Sequence, residues 1–98
     1  MKISESRSSQ GCVLFVSGEL NDSTSSQLQN EIFRVARLSS NITLDFTDVA
    51  AINKAGINVL HSGQRTVASK RGRFLVQNAN PAVKYELHNE GLSRLLAF

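Results

Sequence analysis

Residues 41–46 (NITLDF) and residues 52–60 (INKAGINVL) are the two stretches of the sequence that decide the fold. The first alternates apolar and polar side chains, which predicts a β-strand. The second opens a run with helical spacing that continues to about Lys70. A strand that leads into a helix start exposes backbone N–H groups, which favour anions. The turn at residues 53–56 is therefore the first candidate for a functional site.

The residues on either side predict three further strands. Residues 12–17 (CVLFVS) are nearly all apolar, which predicts a strand covered on both faces. Residues 2–8 predict an edge strand that pairs with it antiparallel through a turn at Gln10-Gly11. Residues 73–77 (RFLVQ) predict the last internal strand, and Thr47-Asp48 are typical of a turn.

A helix is predicted between the second and third strands. Asp22 or Ser23 can cap its start, and Thr24 with Gln27 fits a capping box. Its apolar face recurs at helical spacing and consists of Leu28, Ile32, Val35 and Leu38.

Another helix is predicted after the last strand. Asn80 is suited to cap it, Pro81 to occupy its first turn and Gly91 to close it. Leu92 is expected to pack back onto this helix. The later apolar residues Leu95, Leu96 and Phe98 are expected to dock on the core.

The order of these elements predicts an α/β fold. Two β-α-β crossovers imply three parallel strands joined right-handedly, and the edge strand makes the sheet mixed. We therefore expect a four-stranded mixed sheet with parallel central strands and three main helices. Ninety-eight residues are expected to form a single domain, 1–98.

The composition excludes several classes of protein. The net charge is only +3, and the basic cluster at residues 70–73 fits a helix C-terminus with Gly72 as its left-handed cap, so no nucleic-acid partner is expected. Cys12 is the sole cysteine, which excludes an internal disulfide and a cysteine-based zinc site. No stretch approaches a membrane span or a signal-peptide core, so we expect a cytoplasmic protein without direct membrane insertion.

No set of residues with catalytic spacing emerges. A hydrolytic set could in principle combine a serine with His61 and Asp48, but nothing in their spacing supports it. The sequence also has no glycine-rich phosphate loop. His61 and His88 lie far apart in the chain, so no metal site is expected. We therefore predict a protein that is not an enzyme and needs no cofactor.

Three segments resemble the STAS family, which comprises anti-sigma-factor antagonists and the cytoplasmic tails of sulfate transporters. Residues 44–60 (LDFTDVAAINKAGINVL) are similar to its signature, roughly D-L-S-x-V-x-x-I-D-S-S-G-L-G-V-L. Residues 17–21 (SGELN) resemble its G-E-L-D motif, and residues 80–92 (NPAVKYELHNEGL) resemble its S-P-A-V and G-L segment. The resemblance implies the STAS-like fold over nearly the whole chain.

The resemblance implies partner switching as the function. In that family a bacterial antagonist binds a kinase-type anti-sigma factor, regulates transcription, and loses binding when the kinase phosphorylates a serine at the helix start. The added phosphate carries about −1.5 to −2 charges at pH 7. The implied partner-binding residues are Asn21, Asn53, Lys54, Ala55, Gly56 and Asn58.

The sequence departs from the family pattern at the acceptor position. Lys54 matches the phosphorylated serine and Ala55 the second serine, while Asn53 and Asn21 match the two aspartates. Because lysine cannot take that phosphate, no phosphorylation is expected at this position. We expect a face more positive than in relatives. Either it binds a partner with acidic groups constitutively, or Lys54 is a solvated lysine without a role on a degenerate domain.

Alternatives remain open at this point. The chain could instead be a STAS accessory subunit of an ABC-type lipid transporter, or bind a nucleotide as some family members do. Thr47 or Ser62 could be modified in place of the missing serine. The sequence also leaves open whether the chain forms a homodimer.

Overall fold

The sheet has four strands whose order in space follows their order in the chain, β1-β2-β3-β4. In a computed structural model, which describes residues 1–97, these are β1 (Lys2–Ser8), β2 (Gly11–Leu20), β3 (Asn41–Ile52) and β4 (Arg73–Gln77). β1 pairs antiparallel with β2, and the remaining pairs are parallel. The predicted mixed sheet with parallel central strands is confirmed.

Three main helices connect and follow the strands, as predicted. They are α1 (Ser25–Ala36), α2 (Lys54–Ala68) and α3 (Pro81–Asn89), and a short 3-10 turn covers Ser93–Leu95. Within the described residues, no helix is long and apolar enough to cross a membrane.

The hydrophobic core lies against one face of the sheet. In β2, Cys12, Leu14 and Val16 are buried, whereas Phe15 between them is 44% exposed. The prediction that this strand is covered on both faces was wrong, because side chains alternate across a strand and here only one side meets the core. The helix face Leu28, Ile32 and Val35 is buried as predicted.

Two boundaries differ from those predicted. β3 continues through Thr47-Asp48 to Ile52, because register shifts against β2 let the strand bend without ending. Leu38 does not extend the buried face of α1: the helix ends at Ala36, and Leu38 is 56% exposed.

The C-terminus of α2 is closed differently from the prediction. Arg71, not Gly72, adopts the left-handed conformation, with φ of 58°. Gly72 is required for space, because a Cβ there would lie 1.8 Å from the Ser40 carbonyl oxygen. One residue of the basic cluster does act at a helix C-terminus, although at that of α1. Lys70 Nζ donates to the carbonyl of Ala36, the last residue of α1.

The boundaries of α3 follow the prediction closely. The side chain of Asn80 accepts from Val83 N at 2.8 Å, and Gly91 is left-handed with φ of 74°. Leu92 is buried, and its N–H donates to the Leu87 carbonyl at 2.8 Å. Leu95 is buried and Leu96 packs against the core, whereas Phe98 lies outside the described residues.

Candidate functional site

The start of α2 is fixed by the side chain of Asn53. Asn53 is the N-cap, and its Oδ1 accepts from Ala55 N at 3.0 Å and from Gly56 N at 3.3 Å. Its own N–H donates to the Leu20 carbonyl at 2.9 Å, which ties the turn to the end of β2. Two of the N–H groups expected to attract an anion are therefore already satisfied within the turn.

The loop before α1 is organised by Asn21. Its Oδ1 accepts from Ser23 N at 2.9 Å and from Thr24 N at 3.2 Å. Thr24 occupies the N-cap position but makes no side-chain bond to the helix, because its hydroxyl donates to the Glu19 carbonyl at 2.6 Å. The predicted caps at Asp22 or Ser23 and the predicted capping box were therefore wrong.

Asp22 joins this loop to the start of α2. Asn53 Nδ2 donates to Asp22 Oδ1 at 3.3 Å. The two loops thereby form one continuous surface, although they are about thirty residues apart in the chain. The sequence had placed the loop at residues 18–23 in the docking surface, but it gave no indication of this contact between Asp22 and Asn53.

Lys54 makes an ion pair with the end of α3. Its Nζ lies 2.8 Å from Glu90 Oε1, while 72% of the lysine side chain remains exposed. Glu90 compensates the charge of the lysine, and Asp22 adds a carboxylate beside Asn53, so the face carries both signs of charge. That it is more positive than in relatives stays a prediction. No local pattern could have identified Glu90, because it lies 36 positions later.

The other sequence-predicted residues divide into exposed and buried positions. Asn58 is exposed and Ala55 half-buried, but Gly56 is buried. A Cβ at Gly56 would lie 2.8 Å from Ile52 Cγ1 and 2.9 Å from Leu20 Cβ. Gly56 therefore lets α2 approach the sheet and does not itself form the surface. We call the polar set of exposed Asp22, Asn53, Lys54 and Asn58 with half-buried Asn21 and Glu90 the α2-start surface.

Asp45 supports the neighbouring end of the sheet. Its Oδ1 accepts from Thr47 N at 2.9 Å and from Thr47 Oγ1 at 2.6 Å, and its Oδ2 from Gln77 and Asn78. Burial alone would raise the pKa of this carboxyl, but the hydrogen bonds from Thr47, Gln77 and Asn78 outweigh it and lower the pKa. The ionised Asp45 side chain therefore joins Thr47 of β3 to Gln77 and Asn78 at the end of β4 through hydrogen bonds.

No group of three or more His, Cys, Asp or Glu residues could hold a metal ion in the part of the chain that the structure describes. Cys12 is buried, and burial raises the pKa of its thiol.

The fold is shared with solved proteins at low sequence identity. A putative anti-sigma factor antagonist from Thermotoga maritima is 20% identical with a TM-score of 0.87, covering 96% of this chain and 82% of that one. The anti-sigma factor antagonist SpoIIAA in its unphosphorylated form is 17% identical with a TM-score of 0.85, covering 98% and 86%. A sulfate transporter family protein from Wolinella succinogenes is 12% identical with a TM-score of 0.74, covering 86% and 73%.

The sequence itself matches a family model. No curated protein sequence matches the chain, but the model described as "Mlab, STAS domain" covers residues 3–97. That match spans nearly every position, including all three segments whose pattern resembled the family. The chain therefore belongs to the STAS domain family.

Proposed function

We propose that this protein is a non-catalytic interaction module of the anti-sigma-factor antagonist type, which binds a kinase-like anti-sigma factor or a related signalling protein. The observation that carries the proposal is the presentation of Lys54 and Asn58 on a helix start that Asn53 holds rigidly. A surface ordered before binding loses less conformational entropy when a partner docks. The anti-sigma factor antagonists with the same fold support this assignment.

We propose further that docking is independent of phosphorylation at the helix start. SpoIIAA is described in phosphorylated and unphosphorylated forms, whereas Lys54 offers no hydroxyl and is paired with Glu90. The Thr47 hydroxyl donates to Asp45 Oδ1 at 2.6 Å, so phosphorylating it would break a part-buried hydrogen-bond network. These contacts favour a partner that stays bound over one that is released by a kinase.

A STAS accessory subunit of an ABC-type lipid transporter is the second candidate. Such a subunit needs a stable docking surface and no phosphorylated state, which is compatible with the Lys54–Glu90 pair. The family model carries the description "Mlab, STAS domain", and a sulfate transporter family protein is among the structural neighbours. Both observations favour a transporter-associated role as the alternative.

Affinity capture from native lysate with the full chain as bait separates the two candidates. Recovery of a kinase-type anti-sigma factor is expected for the first, and recovery of an ATPase with a permease would establish the second. Lys54→Glu places two carboxylates together at the α2-start surface and should abolish the specific capture. Lys84→Glu makes the same charge change at an exposed position of α3 outside that surface and should leave it intact.

A further inference from the structure

A shallow apolar groove lies beside the α2-start surface, between the end of β3 and helix α3. Its volume is about 250 Å³. It is lined mainly by Ala50, Ala51, Ile52, Ala82, Tyr85 and Glu86. We call it the α3 groove.

Several side chains that line the α3 groove are not needed to close the core, although Ile52 packs against it. Leu87 and Val83, the latter also in the groove lining, are fully buried, whereas Tyr85 is 65% exposed and Ala82 is exposed. An exposed apolar patch of neighbouring residues, unlike scattered ones, is typical of an interaction site. Exposed tyrosine in particular is enriched at the centre of protein interfaces.

One side chain fixes both walls of the groove. Asn80 Nδ2 donates to the Val49 and Ala50 carbonyls at 3.2 and 3.3 Å, and its Oδ1 accepts from Val83 N. This amide therefore joins the end of β3 to the first turn of α3. The groove is formed in advance of binding, as recognition sites usually are.

The groove continues directly into the α2-start surface. Ala82, Glu86 and Glu90 are spaced four residues apart, so they form one row along α3. Glu90 at the end of this row is the residue paired with Lys54. Glu86 is exposed and makes no ion pair within the described residues, so its charge is available to a partner's cation.

We propose that the α3 groove is the apolar half of the docking surface and receives one face of a partner helix. That helix carries a large aliphatic side chain, which enters between Ile52 and Tyr85, and a lysine or arginine about one turn away, which pairs with Glu86. The inference rests on the proposed function and adds the chemistry of the partner to it. Its basis is the complementarity between an apolar groove and its single acidic edge.

A synthetic helical peptide tests this chemistry without an identified partner. The probe has leucines along one face with flanking lysines, and its matched control has glutamate at every lysine position. In amide-detected NMR titrations of the full chain, the lysine peptide should shift the resonances of Ala51, Ile52, Ala82 and Tyr85. Glu86→Lys should weaken its binding about fivefold, the effect of a single ion pair near a surface, whereas Lys84→Glu should not weaken it.

Three results would overturn the inference. The first is equal binding of the two peptides, and the second is shifts confined to other exposed apolar residues such as Phe15 or Leu38. The third is self-association of the chain that Tyr85→Ala abolishes, because the groove would then be occupied by a second copy.

The captured partner distinguishes this inference from the proposed function. If Lys54→Glu abolishes partner binding while Tyr85→Ala and Glu86→Lys leave it unchanged, the proposed function stands and the groove is not part of the interface. If the peptide binds the groove as described but Lys54→Glu leaves the partner bound, the α2-start surface is wrong and the groove stands.

Discussion

Lys54 Nζ lies 2.8 Å from Glu90 Oε1, so the first residue of α2 is joined to the residue that ends α3. A lone cation at a helix N-terminus opposes the helix dipole. Here the carboxylate of Glu90 compensates that charge, and the pair holds two otherwise separate chain segments in one surface. The position that the family resemblance matches to a phosphorylated serine is thus occupied by a lysine in an ion pair.

Gly56→Ala should destabilise the protein, although alanine usually stabilises a helix by about 1 kcal/mol relative to glycine. The new Cβ would lie within 3 Å of Ile52 Cγ1 and Leu20 Cβ, both of which are held in the core. Overpacking of this kind typically costs about 1–3 kcal/mol. Urea unfolding measures the loss, with Asn58→Ala on the exposed side of the same helix as a control. A gain in stability for Gly56→Ala would contradict the close packing described here.

The sequence predicted the parts of the fold that depend on local chemistry. Asn80, Pro81 and Gly91 bound α3 as predicted because capping and turn preferences act over a few residues. Phe15 and Leu38 were misplaced because an apolar residue carries no information about which side of an element meets the core.

The sequence likewise predicted only the part of the candidate site that depends on neighbouring residues in the chain. Asn53 was placed at the site from its position in the turn before a helix, whereas Asp22 and Glu90 are joined to the site by tertiary contacts at 3.3 and 2.8 Å. Such contacts depend on how distant loops pack against each other, and a pattern of a few neighbouring residues in the sequence cannot predict that.

Asn53→Ala should lower the free energy of unfolding by about 1 kcal/mol, the usual effect of removing an N-cap. It removes the acceptor for Ala55 N and Gly56 N and the donor to Asp22. Asn80→Ala removes the corresponding cap of α3 and should cost a similar amount. Asn53→Ala should also impair partner capture, because it releases the α2-start surface. Asn80→Ala should instead weaken binding of the lysine peptide, because Asn80 joins the two walls of the α3 groove. If Asn53→Ala also lost peptide binding, a general loss of folding would be indicated.

Asp45→Asn should change how stability depends on pH. The folded-state pKa of Asp45 is lowered by the hydrogen bonds it accepts, so its ionised form stabilises the fold above the unfolded-state pKa of about 3.9. That stabilisation is lost as the pH falls through the folded-state pKa. In the variant, one of the two side-chain oxygens is replaced by an N–H₂ group, which is a donor. It would face either the Thr47 donors or the amide groups of Gln77 and Asn78, and the unpaired donors should lower the free energy of unfolding by about 1–3 kcal/mol.

Urea unfolding at pH 7 and pH 3 tests this expectation. The variant should be clearly less stable than the parent chain at pH 7, and the difference should narrow at pH 3, where the parent loses its advantage. A difference that is the same at both pH values would mean that the charge of Asp45 does not contribute to the fold.

Lys54→Ser should create a phosphorylatable residue at the start of α2, where residues 53–58 carry no hydroxyl. The change removes the ion pair with Glu90 and places a hydroxyl at the first position of α2. A phosphate there would add about −1.5 to −2 charges beside Glu90 and Asp22, and this repulsion should weaken docking. Mass spectrometry after incubation with ATP and the captured kinase should detect one phosphate on the variant and none on the parent chain, with Lys54→Ala as the control. Phosphate on Thr47 or Ser62 of the parent chain would instead show that regulation has moved to another hydroxyl, since neither site requires Lys54 to change.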